Sequence, residues 1–93
     1  MKLKKSKYDT MFNVIRNELN KIDPLGVVLG NKNLINEYDF ETLKILEIIH
    51  EKIDYKDFSN KICEIFIQST EMDFKPENFY DCAKNILKKL ETL

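Results

Sequence analysis

The sequence predicts an all-α protein: a compact bundle of about four short helices, with one long loop between helices 1 and 2. Apolar residues recur at spacings of three and four along most of the 93 residues, as in helices that bury one face. Only 2 glycines and 2 prolines are available for tight turns, which argues against a small β-sandwich. The hydrophobic share of 43% is too high for intrinsic disorder. We expect residues 1–93 to form a single helical domain, with residues 1–6 as a frayed basic N-terminus.

The first helix is predicted from about Ser6 to Ile22. Its apolar stripe consists of Tyr8, Met11, Phe12, Ile15, Leu19 and Ile22. The helix is expected to stop at Asp23-Pro24, because the residue before a proline disfavours the α conformation. Residues 23–38 show no periodicity and predict a long loop, whose apolar part, residues 25–29, we expect to fold onto the core as a lid.

Three further helices follow. The second is predicted from Asp39 to about Ile53. The third starts after Asp54, whose side chain can cap the first turn, and runs to about Thr70. The fourth opens at Lys75-Pro76, since proline suits the first helical position. The expected buried faces are Leu43, Leu46, Ile49 and Ile53 with Ile45 in the second helix, Phe58, Ile62, Ile65, Phe66 and Ser69 in the third, and Phe79, Cys82, Ala83, Ile86, Leu87 and Leu90 in the fourth.

The cysteines and the N-terminal residues favour a cytoplasmic protein. Cys63 and Cys82 belong to no C-x-x-C pair and lie within apolar stripes, so we expect two reduced thiols in the core. No apolar stretch long enough for a signal peptide follows the lysine-rich start, and no membrane-spanning run is predicted. His50 is the only histidine, so neither a metal site nor a cofactor is expected.

The charge changes sign along the chain. Residues 1–35 hold 7 basic and 3 acidic side chains, whereas residues 36–81 hold 5 basic and 12 acidic ones. The acidic side chains on or beside the second helix are Glu37, Asp39, Glu41, Glu47, Glu51, Asp54 and Asp57. Two interpretations stay open: a solvated surface with carboxylates at helix starts, or a docking face for a basic protein partner.

The sequence contains no catalytic signature. No helix carries a basic stripe interleaved with aromatic residues, so nucleic-acid binding is not predicted. Gly26 and Gly30 do not form a phosphate-binding loop. His50 has Glu47 three residues before it and Asp54 four residues after it, which is typical of a surface histidine with carboxylate neighbours. We therefore expect no enzymatic activity.

Two short segments resemble a known family. Asp23-Pro24-Leu25-Gly26 ends the first helix, and Asn36-Glu37-Tyr38-Asp39-Phe40-Glu41 leads into the second. This order is similar to that of DUF1871 (YugE-like), a small bacterial family of domains of unknown function, over about Tyr8 to Leu90. The resemblance implies an all-α domain, supplies no activity, and directs attention to Tyr38, Asp39 and Glu41. We expect Tyr38 to pack before the second helix, and Asp39 and Glu41 to cap it.

Three functional hypotheses follow. The first is a small protein-interaction domain, most concretely an immunity- or antitoxin-type inhibitor that binds a basic toxin or nuclease through residues 36–81. The second is a small-ligand or enzymatic site at residues 23–41, in a pocket lined by Tyr38, Asp39 and Glu41, with His50 as a further candidate for the lining. The third is an accessory subunit or homodimer, whose contact would consist of Val28, Leu29, Leu34, Ile35 and Ile48.

Overall fold

The computed structural model describes residues 5–26, 36–49 and 53–93. Its helices are α1 (Lys5–Ile22), α2 (Asp39–Ile48), α3 (Tyr55–Thr70) and α4 (Tyr80–Glu91), and a 3₁₀ turn over Pro76–Phe79 leads into α4. No strand occurs among these residues, so the predicted all-α class is confirmed. Residues 27–35, which hold most of the predicted lid and of the predicted homodimer contact, lie outside the described residues.

The four helices surround one core. Helix α1 packs against α2 and α4, and α3 packs against the same two helices. The buried apolar side chains are Ile15, Leu19, Tyr38, Ile45, Ile53, Phe58, Ile62, Cys63, Phe66, Phe79, Cys82, Ala83 and Ile86. Phe66 joins the aromatic part of this core, because its ring centroid lies 5.3 Å from that of Phe79 and 5.7 Å from that of Tyr38.

The predicted ends of α3 are confirmed. The carboxylate of Asp54 accepts a hydrogen bond from the backbone N–H of Asp57 at 2.8 Å, and so satisfies an amide that the first turn leaves free. The helix ends at Thr70, after which Glu71 adopts a left-handed conformation with φ 58°. Ser69, which was expected on the buried face, is exposed.

The fourth helix begins one turn later than predicted. The backbone N–H of Lys75 donates to Oδ1 of Asn78 at 2.9 Å, and the Asn78 N–H donates to the Lys75 carbonyl at 3.0 Å. These bonds close a 3₁₀ turn that starts at Pro76, where the fixed φ of proline is accommodated. The α-helical hydrogen bonding starts only at Tyr80.

Helix α2 differs from the prediction in its length and in its buried face. It ends at Ile48 and not near Ile53. Leu43 is 46% exposed, so its expected core position is wrong, whereas Thr42 and Ile45 are fully buried. The reason is Tyr38, which is fully buried directly before the helix. The residues three, four and seven positions after Tyr38 share its side of the helix, and this side faces the core.

Helix α1 buries the middle of its predicted stripe but not both ends. Ile15 and Leu19 have no exposed surface, whereas Tyr8 is 41% exposed and Ile22 is 37% exposed. The core positions expected for Tyr8 and Ile22 are therefore wrong. Glu18, a charged residue, is buried at the contact between α1 and α4 instead.

Candidate functional site

A buried hydrogen bond connects the end of α1 with the start of α2. The hydroxyl of Tyr38 donates to Oδ1 of Asp23 at 2.5 Å and accepts from the backbone N–H of Leu25 at 3.0 Å. Asp23 ends α1 in a left-handed conformation, φ 44°, with its N–H bonded to the Leu19 carbonyl at 2.8 Å. Burial and the hydrogen bond to Asp23 raise the pKa of the Tyr38 hydroxyl well above its usual range.

These contacts give Tyr38 a structural role. Its side chain has no exposed surface, so it cannot line an open pocket as the small-ligand hypothesis expected. His50, the other aromatic group of that expected pocket, lies outside the described residues. The most recognisable residue of the family-like segment thus packs into the core, where it fixes the position of α2 relative to α1.

Asp39 forms an ion pair and not a helix cap. Arg16 of α1 donates from Nε to Oδ1 of Asp39 at 2.8 Å and from Nη2 to Oδ2 at 2.6 Å. This two-bond geometry is the strongest that arginine makes with a carboxylate, and it raises the pKa of the Arg16 guanidinium. No side-chain hydrogen bond caps the start of α2, so the capping hydrogen bonds predicted for Asp39 and Glu41 are not formed. Both carboxylates nevertheless lie in the first turn, where negative charge interacts favourably with the helix dipole. Asp39 thus connects α2 with α1, and Glu41 is only 7% exposed.

The structure divides the seven acidic residues that were predicted to bind a partner. Glu41 is only 7% exposed, and the charge of Asp39 is paired with Arg16. Glu51 lies outside the described residues. The remaining four are exposed, namely Glu37, Glu47, Asp54 and Asp57, of which Asp54 also caps α3. The acidic surface available to a partner is therefore smaller than the sequence suggested.

Two apolar side chains on α2 face the solvent, which the sequence analysis missed. Phe40 is 58% exposed and Leu43, one turn later, is 46% exposed. Glu47, one further turn along, continues the same side of the helix and is exposed. We call Phe40, Leu43 and Glu47 the outer face of α2. If Tyr38 is taken as the first residue of the buried face, helical periodicity places Phe40, two residues later, on the opposite side of the helix. The sequence therefore already contained a signal that Phe40 is exposed.

A second apolar surface lies where the first turns of α1, the end of α2 and the end of α4 meet. It is a groove of about 580 Å³. Its lining residues are Lys7, Tyr8, Met11, Leu46, Ile49, Ile53, Leu87, Leu90, Glu91 and Leu93. We call it the α1–α4 groove. Among these residues only Lys7 and Glu91 are charged, and neither makes an ion pair within the described part of the chain.

A smaller cleft of about 290 Å³ borders the end of α1. It is lined by Ile22, Asp23, Pro24, Phe74, Asn78 and Phe79. The one carboxylate in this lining, that of Asp23, accepts the hydrogen bond from Tyr38. The cleft therefore borders part of the predicted 23–41 site, but its acidic group already serves the contact between α1 and α2.

The two thiols are buried and free, as predicted. Burial raises the pKa of both, that of Cys82 to about 12, so neither is an activated nucleophile. Across residues 5–26, 36–49 and 53–93, no group of three or more His, Cys, Asp or Glu side chains is arranged to hold a metal ion. None of the helices within these ranges is long and apolar enough to cross a bilayer.

No protein-family model matches the chain, and neither a curated protein nor a solved structure matches it. The resemblance to DUF1871 stays a prediction. Within the described residues, two surfaces differ from the rest by their exposed apolar side chains: the outer face of α2 and the α1–α4 groove.

Proposed function

We propose that this protein is a small non-enzymatic interaction domain that binds a basic protein partner through the outer face of α2. In its most concrete form, it is a cytoplasmic immunity-type inhibitor of a basic toxin or nuclease. The observation that carries the proposal is the exposure of Phe40 and Leu43, 58% and 46%, on a helix face that also presents the carboxylate of Glu47.

The apolar part of the outer face suits a protein contact. Large side chains at the centre of an interface supply most of its binding energy, and aromatic residues are enriched among them. The Phe40 ring is accompanied by Lys44, whose Nζ lies 5.6 Å from the ring centroid. This lysine stem extends the apolar surface around the ring. A partner that covers Phe40 and Leu43 removes this surface from water.

The exposed charges on and beside this face are the carboxylates of Glu37 and Glu47 and the ammonium of Lys44, and their balance of −1 favours a basic partner. Glu47 is exposed and, like Glu37 before the helix, makes no ion pair with another described residue. Such carboxylates attract cationic side chains and accelerate the encounter with a positively charged protein. Asp39 does not add to this attraction, because Arg16 neutralises its charge.

Pull-down with the product of an adjacent gene, followed by titration calorimetry, tests the proposal. We expect the pair Phe40→Ala and Leu43→Ala to weaken binding at least about tenfold, as loss of central apolar contacts does. Glu47→Lys should weaken it by a smaller factor that shrinks as salt is added. The matched controls are Met72→Ala, an equally exposed apolar residue after α3, and Glu64→Lys, an exposed acid on α3.

The controls decide how the result is interpreted. Binding that is unchanged in the Phe40 and Leu43 double variant contradicts the proposed contact, even if the partner is basic. Binding that is weakened equally by the control variants points to a general effect of charge or solubility. Failure of every adjacent gene product to bind contradicts the immunity-type form of the proposal.

A further inference from the structure

We propose that the α1–α4 groove binds the same groove of a second copy of this chain, so that Lys7 of each copy faces Glu91 of the other. This inference concerns a different surface from the proposed partner contact, and it holds or fails independently of it.

The groove is lined mainly by apolar side chains. Of the ten described residues that line it, eight are apolar or aromatic, and the groove holds about 580 Å³. Tyr8 and Leu93 in this lining are 41% and 46% exposed, although leucine side chains are usually buried and tyrosine side chains partly so. A largely apolar surface that keeps large side chains exposed marks a site of contact with another protein chain.

The charges at the groove select a second copy as the occupant. A basic partner would bring its charge against Lys7, and an acidic partner would bring its charge against Glu91. A two-fold axis avoids both conflicts, because in such an interface residue i contacts residue j and residue j contacts residue i. The single pair Lys7 and Glu91 then gives two opposite-charge contacts. Both side chains are exposed, and neither makes an ion pair with another described residue.

The dimer leaves Phe40 of the outer face of α2 accessible. Leu46, which lines the groove, follows Phe40 by six residues, and six residues correspond to a rotation of about 120° around the helix axis. Leu46 is half-buried while Phe40 is exposed, in agreement with this rotation. Leu43 lies one turn before Leu46 on a neighbouring part of the helix surface, so substitution of Phe40 alone tests the two surfaces separately.

Sedimentation equilibrium of the full chain at low salt tests the inference, because it measures the molecular mass over a wide range of concentration. We expect the mass to rise from 11.1 kDa toward twice that value. Lys7→Glu and Glu91→Lys each place like charges opposite one another at two points. Each should raise the dimer dissociation constant about tenfold at low salt, an effect that salt screens. Both side chains are exposed, and neither forms a hydrogen bond with another described residue, so circular dichroism should show unchanged helix content.

Restoring opposite charges at both contacts tests the pairing of Lys7 with Glu91 more directly than the single reversals do. The double variant K7E/E91K should dimerise as the wild type does, and an equimolar mixture of the two single variants should form a heterodimer in which both contacts are again of opposite charge. Lys61→Glu and Glu64→Lys, exposed on α3, are the matched controls and should leave the mass unchanged.

Three outcomes would overturn the inference. The first is a wild-type mass of 11.1 kDa at every concentration. The second is a dimer that neither single reversal weakens, which would place the contact on another surface. The third is a double variant or mixture that stays monomeric. The variant Phe40→Ala should dimerise normally, so loss of partner binding in that variant reports on the outer face of α2 alone.

Discussion

Tyr38 and Asp23 lie 15 residues apart in the chain, and the Tyr38 hydroxyl donates a 2.5 Å hydrogen bond to the Asp23 carboxylate inside the core. The same hydroxyl oxygen accepts the N–H of Leu25 at 3.0 Å. Since Asp23 follows the last residue of α1 and Tyr38 precedes the first residue of α2, this bond sets the spacing between the two helices. It connects the Asp-Pro-Leu-Gly segment with the Glu-Tyr-Asp segment in the folded protein.

Tyr38→Phe should destabilise the fold by about 1–3 kcal/mol, because it removes the acceptor of the Leu25 N–H and a donor to Asp23 while it preserves the ring. Urea denaturation followed by circular dichroism measures the free energy of unfolding. Tyr80→Phe is the matched control, since the Tyr80 ring is half-buried against Tyr55 and its hydroxyl has no hydrogen bond in the described structure. Equal losses in the two variants would contradict the role of the hydroxyl.

The ion pair between Arg16 and Asp39 should contribute a coupling free energy of about 1 kcal/mol between α1 and α2. Its two hydrogen bonds of 2.6 Å and 2.8 Å are well formed, but both side chains keep more than a quarter of their surface exposed, which limits the gain. A double-mutant cycle with Arg16→Gln and Asp39→Asn measures the coupling. Additive effects of the two substitutions would show that the pair contributes nothing.

Because Glu18 is buried and charged, we expect the fold to lose stability in acid. Burial of this residue opposes its charge, but hydrogen bonds from Lys89 at 2.5 Å and Lys21 at 3.0 Å outweigh burial and lower the pKa of Glu18. The folded-state pKa is therefore below the unfolded value of about 4.3. The contribution of the carboxylate is fully present above that pH and is lost as the pH falls through the folded-state pKa.

Comparison with Glu18→Gln isolates this contribution. We expect the variant to be less stable than the wild type near neutral pH, and the difference in unfolding free energy to shrink as the pH is lowered past the folded-state pKa. Urea denaturation at a series of pH values measures it. Glu64→Gln, an exposed acid on α3, should show no such difference at any pH. A difference between Glu18→Gln and the wild type that stays constant with pH would contradict the assigned role of the charge.

The sequence predicted the fold class and most helix ends because these depend on neighbours only a few residues away. Asp54 caps α3 through an amide three positions along the chain, and proline at position 76 starts a helical turn by its own fixed φ. The buried apolar stripes of α3 and α4 followed from spacing alone, since both helices alternate apolar and polar sides clearly. The burial of the two free thiols followed in the same way.

For the candidate site, the sequence indicated the acidic segment but not which carboxylates a partner can reach. Helix α2 has apolar residues on several sides, so spacing allowed more than one buried face. The choice was made by Tyr38, whose partner Asp23 lies 15 residues earlier, and by Asp39, whose partner Arg16 lies 23 residues earlier. Such contacts form only when helices pack. They orient α2 so that Phe40 and Leu43 are exposed and Glu41 is buried. Local patterning therefore determined that this chain is a helical bundle, whereas the surface available for binding was decided by contacts between residues far apart in sequence.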